Sequence, residues 1–451
     1  MKLNASTDTE RSRFGILPVI ATCLVIATLE GLDMIMFSAV LPTLLEEGEW
    51  GITAATAGLI GSLSLLGMLV GAIVAGYVTD TVGRRPVILA CVVLFSLFTT
   101  LGGLASSATL FGVFRFLAGV GFGGALPTVI ALTMEYVRKD RRQFYNGVVQ
   151  TGFTLGGCLI ALAAMVVIPS YGWRPLFLIG GGLGLVVLAI AAKTLPESIA
   201  FLARTGRVEE VSRIQMRYGV EVEENPPAKN SGGGSGDRSQ ALRLMFGPQY
   251  RVASLLFPLI CFCGLLVAYA MGTWIPQILR ASGYDLGSAL TFLIGFNLGN
   301  AMGMVVISGL ADRFGSRPVI SLGFVAGAAA VVLLTLEPAQ AIVFVLVLLI
   351  GFFSSSQTAV SGFVGVYYPD RARGTALGLS LGLGRLGGIC GPILTGLIVG
   401  SSLGVEWAYY IFAVVGVLTA GLVLLVPRIN RSTNDEEYGP TGERPTASAE
   451  V

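Results

Sequence analysis

Twelve apolar runs, each close to the ~20 residues that a helix needs to cross a hydrocarbon core, fill almost all of this 451-residue chain. They cover 18–45, 55–78, 86–105, 108–134, 144–168, 174–194, 252–279, 287–310, 318–336, 340–367, 374–400 and 405–426. A segment inside a bilayer must satisfy its backbone groups internally, and these runs are far longer than barrel strands, so each is read as a helix. The chain is thus an all-α membrane protein with 12 transmembrane helices. Composition agrees, with 12% charged residues and a mean hydropathy of +0.78, where soluble domains carry about 25% charge.

The placement of cations sets the expected orientation. All but four of the 29 Lys and Arg residues fall at one set of ends: the N-terminus, 83–85, 138–142, Lys193 with the segment 195–251, 312–317, 370–373 and the C-terminus. The exceptions are Arg174 and Arg280 on the opposite side and Arg115 and Arg385 inside helices. Short basic loops stay in the cytoplasm, which predicts cytoplasmic termini. The polar stretch 1–17 has no small-residue cleavage site behind a short apolar core, so no removable signal is expected. Six cysteines lie within the runs without metal spacing and there is no histidine, which predicts reduced packing thiols and no metal site.

About 57 residues, 195–251, separate the sixth and seventh runs, and "NPPAKNSGGGSGDRSQ" at 225–240 has linker composition. Before it, Val208, Val211 and Ile214 recur at helical spacing, as in an amphipathic surface helix. The division is then a six-helix half at 18–194, a cytoplasmic linker, a second half at 252–427 and a disordered cytoplasmic tail at 428–451. The halves repeat one another. "DTVGRRP" at 80–86 returns as "DRFGSRP" at 312–318, "LGG" at 155–157 as "LGG" at 386–388, and Trp173 and Pro42 have counterparts in Trp407 and Pro276. The offsets are 232, 231, 234 and 234. Six helices repeated in one orientation are the parallel repeat of major facilitator transporters. "GYVTDTVGRRP" resembles that superfamily's G-x3-D-x2-G-R-[RK] loop, with Gly76, Asp80, Gly83, Arg84 and Arg85 on its positions. This implies a gating role, shared more weakly by Asp312, Arg313 and Arg317 of the second copy, where Ser308 and Ser316 replace a glycine and an arginine.

"RFLAGVGFGG" at 115–124 contains G-x-G-x-x-G, yet a dinucleotide site needs a preceding strand and a soluble unit. Inside a spanning helix the glycines predict close helix packing instead, and the stretch resembles the superfamily's R-x3-G-x-G signature, with Arg115 as its arginine. Charges at mid-membrane cost roughly 2.5–3.5 kcal/mol each on the insertion scale and mark function. Glu30, Asp33, Arg115 and Arg385 stand out, with Glu135 nearer a helix end. Glu30 and Asp33, at i and i+3, share a helix face and predict a proton-loading pair. Moved by 234 they land on Gly264 and Val267, so the acids belong to one half. Arg385, whose fork bonds carboxylates bidentately, predicts an anion site in the other. A purely structural Asp33–Arg385 bridge is the alternative. Asn297 with Asn300, Gln150 with Thr154, Gln357, Tyr269 and Trp274 are further expected substrate contacts.

"EGLD" followed by Pro42, "MEYV", "YGWRPLFLIGG", "LPESIAFL" and "GLGRLGGICGPILTG" resemble the aromatic acid:H+ symporter family over nearly the whole chain. The resemblance implies proton-coupled import of benzoate-like acids by alternating access, with functional roles for Glu30, Asp33, Arg115, Glu135 and Arg385. Glu30 departs from that family's usual Asp. It also implies a functional monomer whose partners are the acid, the proton and the bilayer, with neither cofactor nor nucleic acid. "PESIAFLARTGR" also resembles sugar porters, which leaves a sugar or other metabolite as a second reading, though their Q-L-S signature is absent. A non-transporting membrane sensor would need an output domain, and no nucleophile-and-base constellation points to an enzyme.

Overall fold

A computed structural model describes residues 5–138, 141–218 and 235–428. Among them lie sixteen α-helices and no strand. The first half contains α1 (Ala5–Glu46), α2 (Ala54–Val82), α3 (Arg84–Gly103), α4 (Ala108–Tyr136), α5 (Arg142–Tyr171) and α6 (Arg174–Thr194). Short helices α7 (Ile199–Arg204), α8 (Val208–Tyr218) and α9 (Ser235–Met245) follow. The second half contains α10 (Arg251–Ala281), α11 (Leu286–Phe314), α12 (Ser316–Leu333), α13 (Gln340–Ser354), α14 (Ser356–Tyr367), α15 (Asp370–Val399) and α16 (Glu406–Leu425). Since α13 and α14 form one span broken at Ser355, twelve segments are long and apolar enough to cross a membrane. The expected tail and most of the linker lie outside the described residues, although the end of the linker expected to be irregular is helical from Ser235.

Local chemistry explains the helix ends. Thr53 and Thr56 form a capping box at α2, Ser107 caps α4, and Asp285 caps α11, each satisfying backbone N–H groups that have no partner within the helix. The repeat is visible at matched corners: Gly83 and Gly315, with φ of 97° and 91°, turn α2 into α3 and α11 into α12 in a conformation that suits glycine. Arg85 then reaches the Ala192 carbonyl while Arg317, 232 positions later, reaches that of Leu424. In α8 the expected apolar face is rotated, with Val211 buried, Ile214 half-buried and Val208 exposed.

Glycines draw the first-half helices together. A Cβ at Gly121 would come within 2.7 Å of the Cys91 carbonyl and the Phe95 nitrogen of α3, and those at Gly67, Gly71, Gly119 and Gly123 would strike backbone across the α2–α4 seam. This is the packing role expected of the helix-four glycines. Gly121→Val should therefore cost ~1–3 kcal/mol through overpacking, read as a reduced monodisperse peak in detergent size-exclusion; an unchanged thermal midpoint would contradict it.

Three buried apolar clusters reveal how the halves are set. The first joins them at the end away from the basic loops, bringing together Phe37, Phe111 and Trp173 with Trp274, Phe292 and Phe412. The second and third occupy the basic end, and each is confined to one half. Contacts between halves follow the same pattern: Ser38 Oγ donates to the Gly272 carbonyl at 2.8 Å, and Ser62 Oγ to that of Ile389 at 2.6 Å. Towards the basic end, Gly76 on α2 and Gly374, Gly378 and Gly382 on α15 face open space. The halves are closed at the end away from the basic loops and parted at the basic end.

Candidate functional site

The site lies where α1, α4, α10 and α15 approach the middle of the bundle. Asp33 on α1 is 2% exposed and accepts two hydrogen bonds, from Arg115 Nη1 at 2.6 Å and from Thr99 Oγ1 at 2.8 Å. Arg115 lies 5.6 Å over the Phe37 ring. The close α2–α4 seam and the short α3–α4 turn bring this arginine across to α1. With both side chains 3% exposed, removal of either partner would leave a buried charge, a loss of ~3–5 kcal/mol.

Glu30, one turn earlier and also 2% exposed, is held differently. Its Oε2 is buried and has no hydrogen-bond partner, while its carboxyl lies in electrostatic reach of Asp33 and, across the two halves, of Arg385. Tyr269 on α10 interacts with both Glu30 and Arg385. Helix α15 supports this arrangement from behind, since a Cβ at Gly388 would stand 2.8 Å from the Tyr269 ring. Arg385 is half-buried and lies within electrostatic reach of the buried acid. Of the two acids, only Glu30 can accept a proton without breaking a bond to Arg115 or Thr99.

The second half has the same shape without the charges. Asp33, Thr99 and Arg115 correspond to Val267, Val331 and Val347 at offsets of 234, 232 and 232. Val267 and Val331 line a small apolar cavity of about 30 Å³.

Other expected contacts divide. Asn297, 5% exposed, donates to the Leu293 carbonyl at 2.8 Å, and its Oδ1 lies 2.9 Å from where a Cβ on Gly157 would sit, so it stands at the α5–α11 junction of the halves. Asn300 and Thr154 are half-buried, as is Gln150, whose Nε2 donates to Asn146 Oδ1 at 3.0 Å. Gln357 sits just beyond the break between α13 and α14 with a buried, unpartnered Oε1 facing Gly264. Trp274, expected to meet substrate, is instead fully buried and donates to the Pro392 carbonyl at 3.2 Å; it is an α10–α15 packing wedge.

Glu135, grouped by sequence with the proton-handling residues, is placed elsewhere. It pairs with Arg84 at 2.7 Å and accepts from Ser198 Oγ and the Ile199 nitrogen. In the loop motif, the carboxylate at the α3 N-terminus is that of Glu197, not Asp80. Glu197 Oε1 accepts from the nitrogens of Arg84, Arg85 and Ser198 at 2.8, 3.1 and 2.7 Å, as the helix dipole favours. Asp80 is exposed and offers its main-chain carbonyl to Arg204. Asp312 and Arg313 are exposed, and Arg313 lies over the Phe314 ring. Glu197 was readable only as part of "PES", and Thr99 carried no signal, since a threonine in an apolar helix is ordinary. Because the Glu135 cluster braces one half, Glu135→Gln should lower the thermal midpoint by about 2 °C, for ~1 kcal/mol of a partly exposed pair. It should leave the proton-to-substrate ratio unchanged; an altered ratio would return Glu135 to the proton path.

The sequence profile of the Major Facilitator Superfamily matches residues 23–296 and 286–448. The chain is 35% identical over 418 residues to the benzoate transport protein of Acinetobacter baylyi, covering 90% of this chain and 89% of that one. It is 34% identical over 408 residues to the gentisate transporter of Corynebacterium glutamicum, covering 89% and 86%. Among solved structures, the D-xylose-proton symporter superposes with a TM-score of 0.72 at 18% identity, over 92% of this chain and 98% of that one, a likeness of fold.

Proposed function

The chain belongs to the Major Facilitator Superfamily, and from that premise we propose that it imports an aromatic carboxylate together with one proton by rocking its two halves about the central site. The observation that carries this reading is a buried acid whose Oε2 has no hydrogen-bond partner, Glu30, within electrostatic reach, across the halves, of a half-buried cation, Arg385. Arg385 takes the substrate carboxylate in its fork, and the Tyr269 ring beside it supplies an aromatic wall. Glu30 carries the proton. When the substrate anion takes over Arg385, Glu30 loses its counter-charge and is stable in the membrane interior only as the neutral acid, which couples the two loads. Asp33, Thr99 and Arg115 stay bonded and hold α1 in register with α3 and α4.

The basic loops, and with them the termini, face the cytoplasm of a bacterial plasma membrane, so the parted end is the inward-facing cleft. The protein works as a monomer, with the proton as coupling ion and no resident cofactor. Sugar transport is the weaker reading, because a neutral sugar has no need of Arg385. The test is uptake of labelled benzoate, 4-hydroxybenzoate, protocatechuate and gentisate into proteoliposomes under an inward proton gradient. Gradient-dependent accumulation of at least one is expected; accumulation of none would overturn the reading.

A further inference from the structure

The outer closure contains a bond between residues that the repeat itself relates. Glu46 ends α1 and Arg280 lies in the last turn of α10, 234 positions later. Ser38 and Gly272, which bond further inside, are also 234 apart. Helices α1 and α10 therefore meet along the axis relating the halves, and each residue faces its own counterpart, as at a two-fold interface. Arg280 uses Nε and Nη2 to hold both carboxylate oxygens of Glu46, at 2.5 and 3.2 Å, while Nη1 donates to the Tyr284 carbonyl at 3.2 Å. The pair is solvent-accessible, with side chains 33% and 49% exposed.

Among the described residues, two cations lie on this outer face, Arg174 and Arg280. Arg174 is committed to the carbonyls of Gly103 and Ala105 and to the indole rings of Trp50 and Trp173. The other acid within electrostatic reach of Arg280 is Asp285. It is committed too, accepting from the nitrogen and hydroxyl of Ser288 at 2.9 and 2.6 Å, bonds that hold its carboxyl below the ordinary range. Opening the outer side must separate the ends of α1 and α10, which parts Glu46 from Arg280. The mouth then presents one free guanidinium fork whose partner in the closed state was a carboxylate.

We propose that Arg280 is a second carboxylate site, at the outer mouth, held by Glu46 while that side is closed and by the incoming aromatic carboxylate once it opens. The inference rests on the import reading above. It makes the substrate a competitor for the outer lock, so that capture and opening favour one another. A lock without capture makes a different prediction, because Glu46→Gln and Arg280→Gln would then act alike. Capture sets them apart: Glu46→Gln frees the fork, whereas Arg280→Gln removes it.

The experiment measures initial uptake of benzoate and gentisate into right-side-out vesicles carrying wild type, E46Q, R280Q or R280K. Outer-end separation is read in parallel from spin labels at Glu47→Cys and Ser282→Cys, with the native cysteines replaced. Both glutamine variants are expected to widen the outer-end distance distribution. E46Q should lower KM at least threefold and R280Q raise it at least threefold, with R280K, which keeps the charge without the fork, between them. These rim positions lie outside the core, and the distance measurement reports folding independently of transport. KM shifts of the same sign in E46Q and R280Q, or a wild-type KM in R280Q, would overturn capture and leave import standing. A wild type that takes up neither acid would overturn import and capture together.

Discussion

Arg385→Ala is expected to raise the dissociation constant for a benzoate-type acid about a hundredfold, since a charge-assisted bidentate pair in a partly desolvated cleft contributes ~1.5–3 kcal/mol. Arg385 is the half-buried cation within electrostatic reach of Glu30; Arg115 is already bound to Asp33. Arg385→Lys should recover part of the loss, because it restores the charge but not the planar fork. Calorimetry or tryptophan fluorescence in detergent measures the affinity. Wild-type binding in the alanine variant would mean that the carboxylate is held elsewhere, and the Glu30–Arg385 coupling would lose its purpose.

The second large effect is on energetics rather than binding. Glu30→Gln keeps the size and hydrogen-bonding capacity of the side chain but cannot exchange a proton, so gradient-driven accumulation should disappear. Exchange of internal for external substrate needs no net proton movement and should continue near the wild-type rate. Asp33→Asn should behave differently: it strands the Arg115 guanidinium in a buried, otherwise uncompensated position, so accumulation and exchange should fail together. If Glu30→Gln still accumulates substrate against its gradient, the proton is carried by another group.

The sequence alone revealed the features that physics forces to be conspicuous. A span must be about twenty residues of apolar side chains, so the twelve helices were countable; a charge within one must be compensated, so Glu30, Asp33, Arg115 and Arg385 were identifiable. The duplication exposed the asymmetry, because Glu30 and Asp33 have apolar counterparts. Which acid is bonded and which is free could not be read, since Thr99 lies 66 positions from Asp33 and resembles any helix-face threonine. The packing position of Trp274 could not be read for a related reason: α10 is buried over much of its circumference, so composition does not distinguish its cleft face from its packing face. Glu135 was placed near the end of α4, and only the approach of the 2–3 loop and the segment after α6 shows its partners. Arg280 was legible only as a cation on the side opposite the basic loops, and its bond to Glu46 emerges only where the fold brings the ends of α1 and α10 together.

In the proposed mechanism Glu30 loads one proton per substrate carboxylate, and a proton moving with a monoanion carries no net charge. A second proton would add ~2.3 kcal/mol of driving force per 100 mV of membrane potential. The decisive measurement is benzoate accumulation in proteoliposomes with each component of the gradient imposed alone. With the potential clamped at zero and the interior one pH unit more alkaline, accumulation should approach about tenfold, the equivalent of ~1.36 kcal/mol; an inside-negative potential without a pH difference should produce none. Accumulation driven by the potential alone would contradict the one-proton account centred on Glu30.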